Sequence, residues 1–389
     1  MKAKLLLMTG LACVALGGAA NAANTVYITG STAYRNAINK TINALFDATP
    51  AVQVAEYGNN TLYYKGTFLD FEGNINGVAY IIKCHWSGSE AGVSDVATGA
   101  SESFLDDIGS GSPPVTAGTF SGSPVAGQTS THNVDIAPAD AAQSFSKTKT
   151  PILTGAFIGI IPFVWDKNAQ TASDQAANPD WGRITNLTDA QARVLLTGGS
   201  FAALITGNSA DINHFIYVAG RDDGSGTRVN TFGDTGFGIR TVPTQVLIGG
   251  SSGSPTLTAT SQGQSSGGTL ATSMTFSGSL SSPDTINSLS GWIAVAYLGL
   301  SDAETAETGG AVRLSFNGVT ESTAAIQEGQ YSFWGNEYIF QKPGISSTAL
   351  TVYNGIVNGV NAQTDGTHEI STGTMNCTRQ GPLSDPIHN

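Results

Sequence analysis

Three times along the chain, a short β-branched and aromatic run breaks into a small polar turn that opens a stretch with helical spacing. Residues 25–29 (TVYIT) read as a strand. Gly30-Ser31-Thr32 follows, and Ala33, Ala37, Ile38, Ile42 and Leu45 then recur near the 3.6-residue period, predicting a helix over 33–46. The pattern returns at 78–84 (VAYIIKC), turning through Trp86-Ser87-Gly88-Ser89 into a short helix over 90–97. It returns again at 214–219 (HFIYVA), through 220–227 (GRDDGSGT) into a helix over about 227–232.

Between these units, 152–165 (ILTGAFIGIIPFVW) is too apolar for a surface loop. Gly155, Gly159 and Pro162 argue against a helix, so it reads as one or two buried strands. Leu187-Thr188-Asp189 caps a helix over 190–197 that stops at Gly198-Gly199. Residues 292–298 (WIAVAYL) and the aromatic-rich 331–341 read as strands, and 346–360 as the last helix. Strands alternating with helices predict an α/β sheet. Two nearly uncharged Gly/Ser/Thr-rich stretches, 109–128 and 249–282, read as loops or short edge hairpins outside the core.

Composition narrows the function. The N-terminus carries Lys2 and Lys4, an apolar run over 5–16 too short to span a membrane, and the small-x-small site Ala20-Asn21-Ala22. This is the pattern of a secretory signal peptide over 1–22, cleaved after Ala22; a lipoprotein reading of Cys13 is the rival. The prediction is a periplasmic or extracellular chain without a transmembrane helix. Lys and Arg number 17 against 29 Asp and Glu, which argues against a basic nucleic-acid-binding face. Only 12% of residues are charged, too few for a coiled coil, so any ligand must be held largely by uncharged donors. Cys84 and Cys377 either form one long-range disulfide or remain separate thiols. The five histidines are scattered, so neither a metal site nor a cofactor is expected.

A strand running into a Gly/Ser/Thr turn at a helix start makes an anion site. The first N–H groups of a helix lack internal partners, and the helix dipole is positive there. Alone, such a turn is an ordinary helix cap. Three in one chain, one of them with Arg221, point to joint capture of a small oxyanion.

The residues here resemble those of the phosphate-binding proteins of ABC transporters. Arg221-x-Asp223-Gly224-Ser225-Gly226-Thr227 matches that family's R-x-D-G-S-G-T signature. Thr29-Gly30-Ser31-Thr32 is similar to its first phosphate loop, and Ser87-Gly88-Ser89 to its second. The segment 134–140 (VDIAPAD) is similar to the one that ends in its ligand-binding Asp. The resemblance spans most of the mature chain. It implies a two-lobed, type 2 periplasmic-binding-protein fold with a central ligand cleft, here with Gly/Ser-rich insertions. Lobe one would be 23–149 with 331–389, and lobe two 150–330.

Carried over by position, Ser31, Thr32 and Ala33 would supply the first loop's donors, and Ser89 those of the second. Asp140 would accept a proton from the phosphate. Arg221 would make a charge-assisted bond, held in place by Asp223. Ser225, Gly226 and Thr227 would donate from the opposite lobe. A buried Asp acceptor favours hydrogen phosphate over fully ionised sulfate. The implied function is non-enzymatic: inorganic phosphate is captured by cleft closure and delivered to an ABC permease. The sequence departs from the family at Ala33, where an aromatic is usual, at Glu90, where a small residue is usual, and in longer gaps between the loops. Two alternatives remain: a surface or extracellular structural protein on the same fold, and a binder of another oxyanion. Gly249-Gly250-Ser251-Ser252-Gly253 fits G-x-S-x-G without a strand–turn–helix frame, and Asp106-Asp107 reads as solvated loop.

Overall fold

The computed structural model describes residues 24–58, 64–281, 292–379 and 387. The signal-peptide reading at 1–22, with Cys13, and His388 lie outside the described residues. The architecture is mixed α/β, and the three strand–turn–helix units form where the hydrophobic pattern puts them. Asn24–Thr29 leads into the first helix, Arg35–Leu45. Val78–His85 leads into the second, Ser89–Thr98. Phe215–Ala219 leads into Gly226–Asp234.

The strands of these units pair in parallel. Asn24–Thr29 lies between Val78–His85 and Ile136–Ala139, parallel to both. Phe215–Ala219 runs parallel to Ile293–Gly299 and meets Gln245–Ser251 in the same sense. Parallel strands are covered on both faces, which accounts for the unbroken apolar run at 292–298: every residue of Ile293–Gly299 is buried.

Two long antiparallel strands join the parallel groups into one 15-stranded sheet. Thr154–Lys167 pairs with Trp334–Gln341 along 154–162, then with Ile293–Gly299 along 163–167. Trp334–Gln341 also pairs with Ile136–Ala139. The apolar run at 152–165 lies mostly in one 14-residue strand, Thr154–Lys167, which changes partners between Pro162 and Phe163; the strand is buried only from Ile158 onward, and Ile152 before it is exposed. Trp165, Trp334, Tyr297 and Phe163, all fully buried, pack where it does so.

The helix at Asp189–Leu196 starts at a Thr188–Gln191 capping box. The expectation for 249–282 is overturned in part. Gln245–Ser251 and Ser254–Thr260 form a hairpin, as the pattern suggests, but Gly267–Met274 is a helix that buries Leu270, Ala271 and Met274 in the main core. Its small residues let it pack closely, yet carry too weak a periodicity to read in sequence. Within 109–128, Gly118–Phe120 adds an edge strand beside Gln53–Tyr57. Cys84 and Cys377 are separate buried thiols.

Candidate functional site

Glycine geometry builds the first wall. Gly30 has φ +141°, and a Cβ there would lie 2.1 Å from Pro138 O. Only glycine permits this approach, and it lets Ser31 N donate to Pro138 O at 2.9 Å. Ser31 Oγ thereby reaches Asp140, which follows directly on the strand Ile136–Ala139, and donates to Asp140 Oδ1. Asp140 N in turn donates to Ser89 Oγ at 3.1 Å. Ser31, Ser89 and Asp140, from three separate stretches of sequence, thus form one buried cluster.

The second wall comes from the Arg221–Thr227 signature. Ser225 caps the Gly226–Asp234 helix, its Oγ accepting from Arg228 N at 3.3 Å and keeping its own proton to donate. Gly226 approaches the first wall so closely that a Cβ there would lie 2.4 Å from Ser89 Oγ and 2.7 Å from Asp140 Oδ2. Asn230 Nδ2 ties the walls together, donating to both Asp140 O and Gly226 O at 2.9 Å. Thr227 is buried one residue further along this helix. Thr32 and Ala33 sit half-buried at the turn before the first helix.

Arg221 is 4% exposed. Its Nε and Nη2 each donate at 3.2 Å, to Gln264 O and Ser265 O. Tyr297 holds the backbone beneath it, accepting from Arg221 N at 3.0 Å and donating to Gln245 Oε1 at 2.7 Å. The expected Arg221–Asp223 support does not form. Asp223 is half-exposed and pairs instead with Lys147, a flexible cation that reaches it from a distant turn. Glu90, the residue out of keeping with the family pattern, faces away from this cluster: its carboxylate accepts from Lys147 N at 2.8 Å.

Three functional candidates carried no sequence signal strong enough to single them out. Asn230 is one. Glu337, fully buried on Trp334–Gln341, is the second, and its carboxyl interacts directly with that of Asp140. Burial raises the pKa of both. Asp140 is held back by hydrogen bonds from Ser31, Glu337 and Ser89 and by the charge of Arg221. Glu337 goes well above the usual range, pushed by burial and then by Asp140. Burial thus favours the protonated form of both carboxyls, and of Glu337 more strongly, because fewer hydrogen bonds hold it back.

Glu369 is the third. It accepts from Ala37 N at 3.2 Å, in the first turn of the first helix, and lines a small pocket with Thr32, Ala33 and Arg35. Burial raises its pKa to about 7, with Asp365 adding to the shift. His368, beside it, spans Asp365 at 2.6 Å and Glu304 at 2.7 Å, tying this segment to the helix Leu300–Thr308.

Two other motifs resolve without chemistry. The G-x-S-x-G match lies in the hairpin of Gln245–Ser251 and Ser254–Thr260, not at a strand-to-helix elbow. Asp107 is not merely a solvated loop residue: with buried Asp70 it flanks the ammonium of Lys83, at 2.9 and 3.0 Å. Asp70, Glu72 and Asp107 do cluster, but the cation among them is the protein's own. No helix among the described residues is long and apolar enough to cross a membrane.

No protein-family model matches the sequence, and no curated protein is similar to it. Among solved structures, the chain is similar to a protein from Clostridium perfringens, assigned as a phosphate ABC transporter substrate-binding protein and crystallised with bound phosphate. The two are 14% identical with a TM-score of 0.47, over 90% of this chain and 100% of that one. It is also similar to an ABC-type phosphate transport receptor from Vibrio cholerae, at 13% identity and a TM-score of 0.42, over 86% and 93% of the two chains. A third similar structure is PstS from Borrelia burgdorferi, at 13% identity and a TM-score of 0.36, over 90% and 98%.

Proposed function

We propose that this chain is an exported solute-binding protein that captures inorganic phosphate between two lobes, 23–149 with 331–389 and 150–330, and delivers it to an ABC permease. The observation that carries the reading is the convergence of Ser31, Ser89 and Asp140 with Gly226 and Asn230. Hydroxyls, a helix start and a carboxylate from distant parts of the sequence meet at one buried point. Arg221 supplies positive charge nearby, since its field lowers the pKa of Asp140. Thr154–Lys167 and Trp334–Gln341 join the two sides and would act as the hinge on which the lobes close. Calorimetry on the mature chain, stripped of carried-over ligand, tests the reading. Phosphate is expected to release heat in a saturable titration that sulfate does not reproduce. No heat with phosphate overturns the reading.

One observation favours a structural protein on the same fold. Two of the helix starts that would greet an anion are satisfied from within the chain: Glu90 N donates to Gly224 O at 3.1 Å, and Ala37 N donates to Glu369. Glu369→Gln separates the readings. With a pKa near 7, Glu369 is neutral below that pH and ionised above it, where it opposes an anion at Thr32 and Ala33. In a phosphate-binding protein, the variant is expected to bind about three- to tenfold more tightly than the wild type at pH 8, a Coulomb term of roughly 1 kcal/mol. The two should converge by pH 5. Because phosphate titrates identically in both proteins, its own ionisation cancels from the comparison. A structural protein binds no phosphate in either form, and parallel pH profiles would remove Glu369 from the account.

A further inference from the structure

Beside the sealed cluster lies a groove of about 770 Å³. That is within the range of roughly 300–1,000 Å³ typical of sites for small organic ligands, and far more than a free oxyanion needs. One side is formed by Thr32, Arg35 and Thr67, and the other by Gln264 and the start of the Gly267–Met274 helix. Leu247, Ile248 and Phe276 add an apolar face.

From this groove we infer that the cleft also accepts phosphate monoesters of a neutral, hydroxylated molecule such as a sugar. The inference rests on the phosphate reading above and extends its ligand class.

Thr32 is the link, because it belongs to the first anion loop and also lines the groove. At the groove's edge by Gly267, the Asp302 carboxylate and Arg221 come together: a Cβ there would lie 1.8 Å from Asp302 Oδ2 and 3.4 Å from Arg221 Nη1. A phosphoryl group at Thr32, beside Arg35, would point its ester oxygen into the groove. The charges there balance. Arg35 faces Asp302, the carboxylate that acts most strongly on it, so the walls offer no net charge to the body of the ligand. Hydroxyls and an amide line both sides over the apolar face, which suits a ring with polar edges and an apolar plane.

Gly268 gives a selective test. It lines the groove, and a Cβ there would meet nothing within 4 Å, so Gly268→Leu fills the groove without disturbing the fold. Calorimetry with inorganic phosphate and with glucose 6-phosphate is run on the wild type and on this variant. The wild type is expected to bind both. The variant should lose about tenfold or more in affinity for the sugar phosphate and keep its affinity for the free ion. Binding of inorganic phosphate alone, or equal effects of Gly268→Leu on the two ligands, overturns the inference and leaves the phosphate reading intact. Binding of neither ligand overturns both.

Discussion

On the phosphate reading, Gly226→Ala is expected to weaken phosphate binding roughly five- to 150-fold while leaving the melting temperature at or above that of the wild type. The added methyl would lie 2.4 Å from Ser89 Oγ and 2.7 Å from Asp140 Oδ2, inside any tolerated contact. Neither neighbour can yield cheaply. Ser89 opens a helix and accepts from Asp140 N, and Asp140 is fixed from its other side by Ser31. The two walls must therefore separate, loosening the Asn230 bridge and the contact of Glu90 N with Gly224 O. Overpacking of this kind costs about 1–3 kcal/mol, or roughly five- to 150-fold in a binding constant. The cost falls on the contact between the walls, because the added methyl meets Ser89 and Asp140 across it and not its own helix. The expected signature is lost affinity by calorimetry with an unchanged or higher melting temperature. Wild-type affinity in this variant would show that the closed contact plays no part in binding.

That glycine, with Ser31, Ser89 and Ser225, was legible in the sequence because its neighbours form a local pattern. A strand, a small turn and a helix start are consecutive, and R-x-D-G-S-G-T occupies seven adjacent positions. What the sequence hid is what depends on distant chain segments. Glu337 sits in a strand whose alternation places Gly335, Glu337 and Ile339 inward, but a lone carboxylate in YSFWGNEYIFQ does not announce its partner. Asp140 lies nearly two hundred residues earlier. Glu369 comes from an irregular segment with no periodicity, and only the folded chain brings it to the first helix. The Asp223 assignment failed for the same reason: spacing allowed a bond to Arg221, and Lys147, far away in sequence, took the carboxylate instead. Gly267–Met274 went unread because Gly, Thr and Ser have weak helix preference, and its burial is imposed by packing rather than by its own pattern.

Asp140→Asn is expected to reverse the anion preference rather than simply weaken binding. In the wild type, burial raises both carboxyls, and Glu337 is pushed well above its usual range by burial and by Asp140. Asp140, hydrogen-bonded to Ser31, Ser89 and Glu337 and near Arg221, is the better anion of the two. It can then accept a hydrogen from hydrogen phosphate, whereas sulfate would face it lone pair to lone pair. An asparagine keeps one acceptor, Oδ1, for the Ser31 hydroxyl, and replaces the other carboxylate oxygen with the donor Nδ2. Phosphate should lose a charge-assisted bond worth about 1.5–3 kcal/mol, or about tenfold to a hundredfold, and sulfate should gain a donor. Glu337→Gln is the control, because an amide N–H still donates to Asp140 and the phosphate preference should stay within about threefold of wild type at pH 7. Competition calorimetry with both anions reads the ratio directly. If Asp140→Asn keeps the wild-type ratio, the carboxylate is not the discriminating group. If Glu337→Gln abolishes the preference along with it, the proton that sets specificity belongs to the pair and not to the ligand.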